Sequence, residues 1–326
     1  MKIKGILITF LTLTTLLAQS QKPGLRITLE GIGDNREFSG GNAYSQTILG
    51  TRGSFEASLN MEGHQLVAGL SHLYEFGSRP GYHKPAMILY YQYEDPDKSF
   101  HFGSFPRKNL LSFPLALMAD TIGYYRPNIE GMRGEITWGS GHQNMFVDWT
   151  GRQTDIVRES FTAATSGEIS LAGFYLRNYA LLNHLAHSSP RGAGEHVNDN
   201  LAYNILAGWR SGAEEGLNGY LNAGILGSVY RERSVTDGFD HAVSLLAEGY
   251  LRHRNFALRN ILHSGDSHTI LTGDPFYRLR SYNRTDVIWY FINHRNISGR
   301  FNLSFHLSEW QETYHSQQIS IVYRLP

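Results

Sequence analysis

The chain has 326 residues, with 29 Lys and Arg against 29 Asp and Glu and no cysteine. Balanced charge leaves no electrostatic footprint for nucleic acid, and the missing thiols exclude disulfides, thiolate metal sites and a lipid-modified cysteine anchor. No Pro/Ser-rich linker or charge block divides the sequence, which therefore reads as one domain.

Residues 1–20 follow the layout of a cleavable export signal: Lys2 and Lys4, an apolar run from Ile6 to Leu17, then Ala18-Gln19-Ser20. The run stops short of the roughly 20 apolar residues an anchor helix needs. The expected mature domain is residues 21–326, exported to a Gram-negative periplasm. Beyond the signal no apolar stretch reaches helical membrane length, so any spanning must be done by strands. The 34 Gly, 19 Tyr, 17 Phe and 5 Trp, with a negative mean hydropathy, suit a wall that mixes apolar outward with polar inward residues.

In chain order, a first strand is expected near Leu25 to Phe38. Phe55, Ala57, Leu59 and Met61 then alternate with Ser54, Glu56, Ser58 and Asn60. Ala86 to Glu94 carries apolar or aromatic residues on both faces, as does Val287 to Asn293, which is the pattern of strands with something packed inside the wall. Val243, Leu245, Ala247 and Leu251 form one apolar face. Phe301, Leu303, Phe305 and Leu307 form another against Arg300, Asn302, Ser304 and His306, and Ile319, Ile321, Tyr323 and Leu325 close the series. Aromatics at the expected strand ends, Tyr74, Tyr93, Trp138, Trp149, Trp209, Tyr230, Tyr250 and Tyr323, suit interfacial girdles.

Tight turns are expected at Glu62 to His64, Asp95 to Lys98, Gly139 to Gln143, Arg177-Asn178, Arg210 to Gly216, His253-Arg254 and His294 to Ser298. Longer connections fall at 37–52, 77–84, 106–129, 152–165, 188–200, 231–240, 265–282 and 309–315. Short and long alternate strictly, as periplasmic turns and external loops do in a transmembrane β-barrel. Seven short and eight long connections predict a closed antiparallel all-β barrel of sixteen strands. The count is fourteen if the first strand or the Arg177-Asn178 turn is not one. The competing fold, a soluble sandwich, has strands of about five or six residues, shorter than these segments.

Gly103-Ser104-Phe105-Pro106-Arg107, Tyr124-Tyr125-Arg126-Pro127-Asn128-Ile129-Glu130-Gly131, Gly273-Asp274-Pro275-Phe276-Tyr277 and Tyr282-Asn283-Arg284-Thr285-Asp286-Val287 resemble a largely uncharacterised, porin-like family of Bacteroidetes outer-membrane barrels. The resemblance runs over most of the mature chain. It implies an outer-membrane barrel and no particular substrate. Such barrels commonly end on an aromatic residue read by the insertion machinery; this chain ends Tyr323-Arg324-Leu325-Pro326, and either Tyr323 is expected to take that part or the recognition to be tolerant.

Sixteen strands enclose an aqueous channel unless something fills it, so passage or binding of small polar solutes is the expected function. Glu56, Glu135, Asp148, Arg300 and His306 are expected on the lumen face, mixing both charge signs, although any one of them can be a merely solvated wall residue. The loop at 106–129 is too apolar to stand in water. It is expected to constrict the mouth with Asp120, Tyr124, Tyr125, Arg126 and Asn128, or else to pack over the rim or on a partner. Asp266, His268, Asp274 and Arg278, with Arg284 and Asp286, could bind a glycan or divalent cation, or form a salt-bridged cap.

No cofactor or metal site is expected, and the partners are outer-membrane lipid and the insertion machinery, with a surface protein or a second copy as further candidates. Ile88, Tyr90, Ile288, Tyr290 and Ile292, if they fill the lumen, favour a non-conducting barrel that serves assembly or secretion. A lip-bound lipid or glycan hydrolase is the third reading. His263 and Ser264 are neighbours on a strand and point to opposite faces, and no G-x-S-x-G elbow or H-E-x-x-H helix is present. The expectation is therefore that the chain is not an enzyme.

Overall fold

The computed structural model describes residues 22–38, 44–79, 81–108, 110–211, 216–309 and 312–325; the expected export signal lies outside them. Sixteen strands follow one another: β1 (Lys22–Glu37), β2 (Gln46–Met61), β3 (His64–Glu75), β4 (Ala86–Glu94), β5 (Lys98–Pro106), β6 (Asn128–Trp138), β7 (Gly141–Gly151) and β8 (Ser160–Leu171) in the first half. The second half holds β9 (Phe174–Leu185), β10 (Asn198–Ser211), β11 (Leu217–Glu232), β12 (Asp240–His253), β13 (Phe256–Gly265), β14 (Ser281–His294), β15 (Ile297–Ser308) and β16 (Glu312–Leu325). Each pairs antiparallel with its chain neighbours, and β1 pairs with β16 from Ile27↔Leu325 to Glu37↔His315 to close the barrel. This is the sixteen-stranded count, with both ends of the described chain on the short-turn side, which the rule for such barrels assigns to the periplasm.

The expected alternations hold: Phe55, Leu59, Val243, Leu245, Leu251, Phe305, Ile319, Tyr323 and Leu325 are exposed on the outward face while Glu56, Ser244, Asn302, Ser304 and His306 are buried inside. One turn is displaced. The β8–β9 hairpin turns at Ala172-Gly173, with φ +50° and +86°, the left-handed pair that a two-residue hairpin loop requires; Arg177 and Asn178 lie inside β9. Two girdle assignments also change. Alternation turns Tyr230 and Tyr250 inward, where their hydroxyls meet Asn198 and Tyr290.

Two external connections enter the lumen. Residues 107–108 and 110–127, including α1 (Asp120–Tyr125), meet residues 266–280, which contain a 3-10 turn at Pro275–Arg278. Ala119 N–H donates to Thr272 O (2.8 Å), Asp274 N–H to Leu115 O (2.9 Å) and the Thr272 hydroxyl to Leu117 O (2.7 Å). A Cβ on Gly273 would sit 2.1 Å from Ala116 O, so only glycine permits this approach. The joined loops bury apolar side chains against the inner wall. Ala116, Leu117, Ile270, Phe276, Tyr277 and Leu279 pack on Phe38, Tyr179, Ala202, Leu226, Leu246, Ile261, Tyr282 and Tyr314. Leu110, Leu111, Phe113 and Met118 pack on Val67, Ile88, Tyr90, Phe105, Ile129, Phe146, Ala164 and Leu181. Ile88 and Tyr90 thus help fill the lumen, and Ile288 is buried as well.

Candidate functional site

The residues expected at a constriction do lie around the inward loop, but most are fastened to the wall. Asp120 accepts from Arg36 on β1 (2.8 Å) and Gln318 on β16 (2.7 Å). Burial alone would raise its pKa; Arg36, Arg284 and Gln318 outweigh that and hold the carboxyl below its ordinary value. The Tyr124 carbonyl accepts from Arg52, and burial pushes the Tyr124 phenol up. Arg107 (2.6 Å) and Arg126 (3.3 Å) both reach Asp148. Asn128 donates to Met87 O and the Ser104 hydroxyl. Tyr125 stacks at 5.7 Å on His83 of the neighbouring loop.

Elsewhere on the inward face Glu56 faces Arg26 at 3.6 Å, Glu135 binds Arg133 at 2.5 Å, and Arg300 shares the inward register. His306 bridges the Tyr282 hydroxyl (2.7 Å) and Ser316 (3.1 Å).

The six residues expected to form a loop site are dispersed. Arg284 and Asp286 pair at 2.7 Å on the wall. Asp274 is buried and caps the 3-10 turn through Phe276 N–H, its pKa raised by burial. His268 is buried between Ser228 (2.8 Å) and Ser244 (2.7 Å), and burial pushes its imidazole down to about 4. Asp266 accepts from Val243 N–H, and Arg278 is exposed. Among the described residues no three His, Asp or Glu side chains converge on a metal position. Of these, His268 and Asp266 tie residues 266–280 to the wall, and Asp274 bonds within its own 3-10 turn.

The outward face at the external ends of the strands is different. His184 and Asp199 oppose each other directly across β9 and β10, Nδ1 to Oδ1 at 2.9 Å, and Arg233 Nε donates to the other oxygen of Asp199 at 2.7 Å. The His184 and Asp199 side chains are each about a fifth exposed. Phe161 packs on the His184 ring (5.2 Å) and stacks on Trp149 (5.7 Å, 14°). Such a band of outward aromatics marks the headgroup level of a membrane.

One rung toward the periplasm, the wall between β5 and β10 holds an apolar groove of about 430 Å³, with small Gly134, Ala163 and Ala180 between Phe100, Met132, Met145, Leu182 and Leu201. A Cβ on Gly134 would meet nothing within 4 Å. Ala163 and Ala180 are diagonal neighbours on β8 and β9, and Gly134 lies beyond Met145 and Val147 of β7 on β6.

A second couple sits across the closing seam. His315 Nε2 and Glu37 Oε2 are 3.0 Å apart, next to Asn35, which links the Thr47 hydroxyl (2.7 Å), Glu37 (3.0 Å) and Gln317 (2.8 Å). Neither couple was singled out in the sequence. Each joins residues of different strands, and only the hairpin register or the barrel closure brings them together.

A model of the lipid A 3'-O-deacylase-type family matches residues 17–325. No curated protein matches the sequence. Among solved structures the chain is similar to a loop-deletion form of OmpT, an outer-membrane protein of Vibrio cholerae (TM-score 0.58, 8% identity, 94% of this chain and 100% of that one). It is equally similar to an anion-selective porin from Comamonas acidovorans (0.58, 9%, 94% and 100%) and less so to Salmonella typhi OmpF in complex with daunomycin (0.54, 12%, 94% and 99%). At these identities the likeness establishes the porin-like, outer-membrane barrel fold alone. The family match overturns the expectation that the chain is not an enzyme, because the family takes its description from a deacylase. That expectation rested on the absence of linear catalytic motifs, which says nothing of side chains that meet across strands.

Proposed function

Because the chain belongs to the lipid A 3'-O-deacylase-type family, we propose that it is an outer-membrane hydrolase that removes an acyl chain from an ester of an outer-leaflet lipid, working from the outer face of its wall. The observation that supports this reading beside the family match is the apolar packing of two loops inside the lumen. A channel of sixteen strands conducts through its interior, and here the two inward loops bury a continuous apolar core against strands from both halves of the barrel. At the external rim, ionisable groups such as His184 and Asp199 stand on the outward face. Outer-membrane lipid is then substrate as well as solvent, and the porin-like barrel is a scaffold that holds a site at headgroup height.

The test is to produce the full-length chain in a Gram-negative host and compare the outer-membrane lipids with those of an empty-vector control by mass spectrometry. The expected result is a lipid species lighter by one acyl group, with the matching free fatty acid. Unchanged lipids, together with ion-conductance steps from the purified protein in a planar bilayer, would overturn the reading in favour of a solute channel.

A further inference from the structure

We propose that the groove between β5 and β10 holds the acyl chain of an outer-leaflet lipid, and that the His184–Asp199 couple at its external end activates the water that cleaves that chain's ester. The inference rests on the hydrolase reading and gives it a location.

Three observations converge on one sector of wall. The groove opens onto the bilayer-facing surface in the middle of the strands, so the medium that meets it is lipid hydrocarbon. Its room comes from Ala163 and Ala180 on β8 and β9 and, on the far side of Met145 and Val147 of β7, from Gly134 on β6. A second copy of the chain is a poorer occupant, because a two-fold contact would set this trough against itself and leave it unfilled.

The register then fixes what lies at the top. Ala163, Leu182 and Leu201 face one another across β8, β9 and β10, and two residues farther out on each strand stand Phe161, His184 and Asp199. Residues two apart on a strand share a face and are roughly 7 Å apart, so a chain lying in the groove brings its ester to the imidazole. Stacked Trp149 and Phe161 put this rung at the level where acyl chains meet headgroups.

The chemistry is complete with water as co-reactant. Nδ1–H of His184 donates to Asp199, which leaves Nε2 as the base; Arg233 fixes Asp199 from its other oxygen. Nε2 takes a proton from water as the oxygen attacks the ester carbonyl. The acyl C–O bond then breaks and the imidazolium returns the proton to the departing alkoxide. Water and ester become a carboxylic acid and an alcohol, with no oxidant or metal consumed.

The experiment uses the full-length protein in vesicles of host outer-membrane lipid, with fatty-acid release measured by mass spectrometry and groove occupancy by labelling with a phospholipid that carries a photoreactive group in its acyl chain. The wild type is expected to release fatty acid and to be labelled on β6 to β8. His184→Gln is expected to lower release about 100-fold or more while keeping the label. Ala163→Leu with Gly134→Leu is expected to lose the label and to lower turnover or shift the product toward shorter chains; His315→Gln is expected to do neither. Release that persists in both His184→Gln and the filled-groove variant overturns the proposal and leaves the hydrolase reading standing. No release from the wild type overturns that reading. A wild type that takes no label on β6 to β8, or a filled groove still labelled like the wild type, overturns the acyl site whatever the activity.

Discussion

Two of the His–carboxylate couples at the external rim join residues paired across strands and are set over different walls. His184 opposes Asp199 across β9 and β10, and Glu37 opposes His315 across β1 and β16. Below the second couple the next outward rungs are Asn35↔Gln317 and Gly33↔Ile319, and a Cβ on Gly33 would meet Ile319 Cγ2 at 2.6 Å and Leu49 Cδ1 at 3.4 Å. That glycine is roofed by its neighbours. Gly134, in the first sector, is bare to 4 Å. The difference teaches that the room beside a wall glycine is set by how its neighbours lean: Ile319 and Leu49 cover Gly33, whereas Gly134 stays open although Phe100 and Met145 flank it on β5 and β7. It also teaches that the polar couple alone does not define a lipid site.

The largest effect expected from this contrast is chemical. Asp199→Asn removes the acceptor that holds the His184 tautomer and should lower fatty-acid release by about 10²- to 10⁴-fold, whereas Glu37→Gln should leave it within about threefold. Equal losses in an assay on outer-membrane lipid vesicles would erase the distinction between the sectors.

Next is the separation of inner from outer face. Replacing residues 110–125 with a Gly/Ser linker removes Leu117, Phe113 and the Asp120 anchors from the lumen. Conductance steps should then appear in a planar bilayer while fatty-acid release continues. Loss of release without conductance would mean that the inward loops serve the chemistry directly.

Acid should loosen the inward loops before it touches the wall. His268 titrates near 4 in the fold against its ordinary 6.5, so between those values the unfolded loop binds a proton that the folded one refuses. Its contribution is intact above pH 6.5 and is lost as pH falls toward 4. Asp274, raised by burial, works in the opposite sense, favouring the neutral acid and losing stability as pH rises through its folded pKa. Protease cleavage within residues 266–280 should accelerate from pH 7 to pH 4.5, and His268→Gln should flatten that dependence.

The smallest effect is steric. Gly33→Leu must displace Ile319 and should cost about 1–3 kcal/mol, against less than about 1 kcal/mol for Gly134→Leu. Urea unfolding of the barrel in detergent compares the two.

Much of the architecture was legible because a membrane wall imposes period-two alternation over long strands, and connection length separates the two ends. The β8–β9 turn was misread because Ala172 takes a left-handed conformation that alanine does not advertise, so only Gly173 gave a signal. The inward loop at 106–129 was legible from Leu110 to Met118, whose apolarity demanded cover. The rim couples were not. His184 and Asp199 become partners only when the β9–β10 hairpin is given its register, in which paired numbers sum to a constant, and the composition of residues 188–200 predicts a loop. Glu37 and His315 meet through barrel closure, for which local sequence carries no sign.

The hydrogen bond from Thr272 to the Leu117 carbonyl joins residues 155 positions apart, on loops that leave opposite halves of the chain. Hairpins form between neighbours at small entropic cost, but this contact must wait until the strands between have been ordered. The joined loops in the lumen are therefore among the last parts to assemble. An inserting barrel passes through a state with its wall complete and its inward loops still apart, and the same late contact is among the first to release when the molecule is stressed.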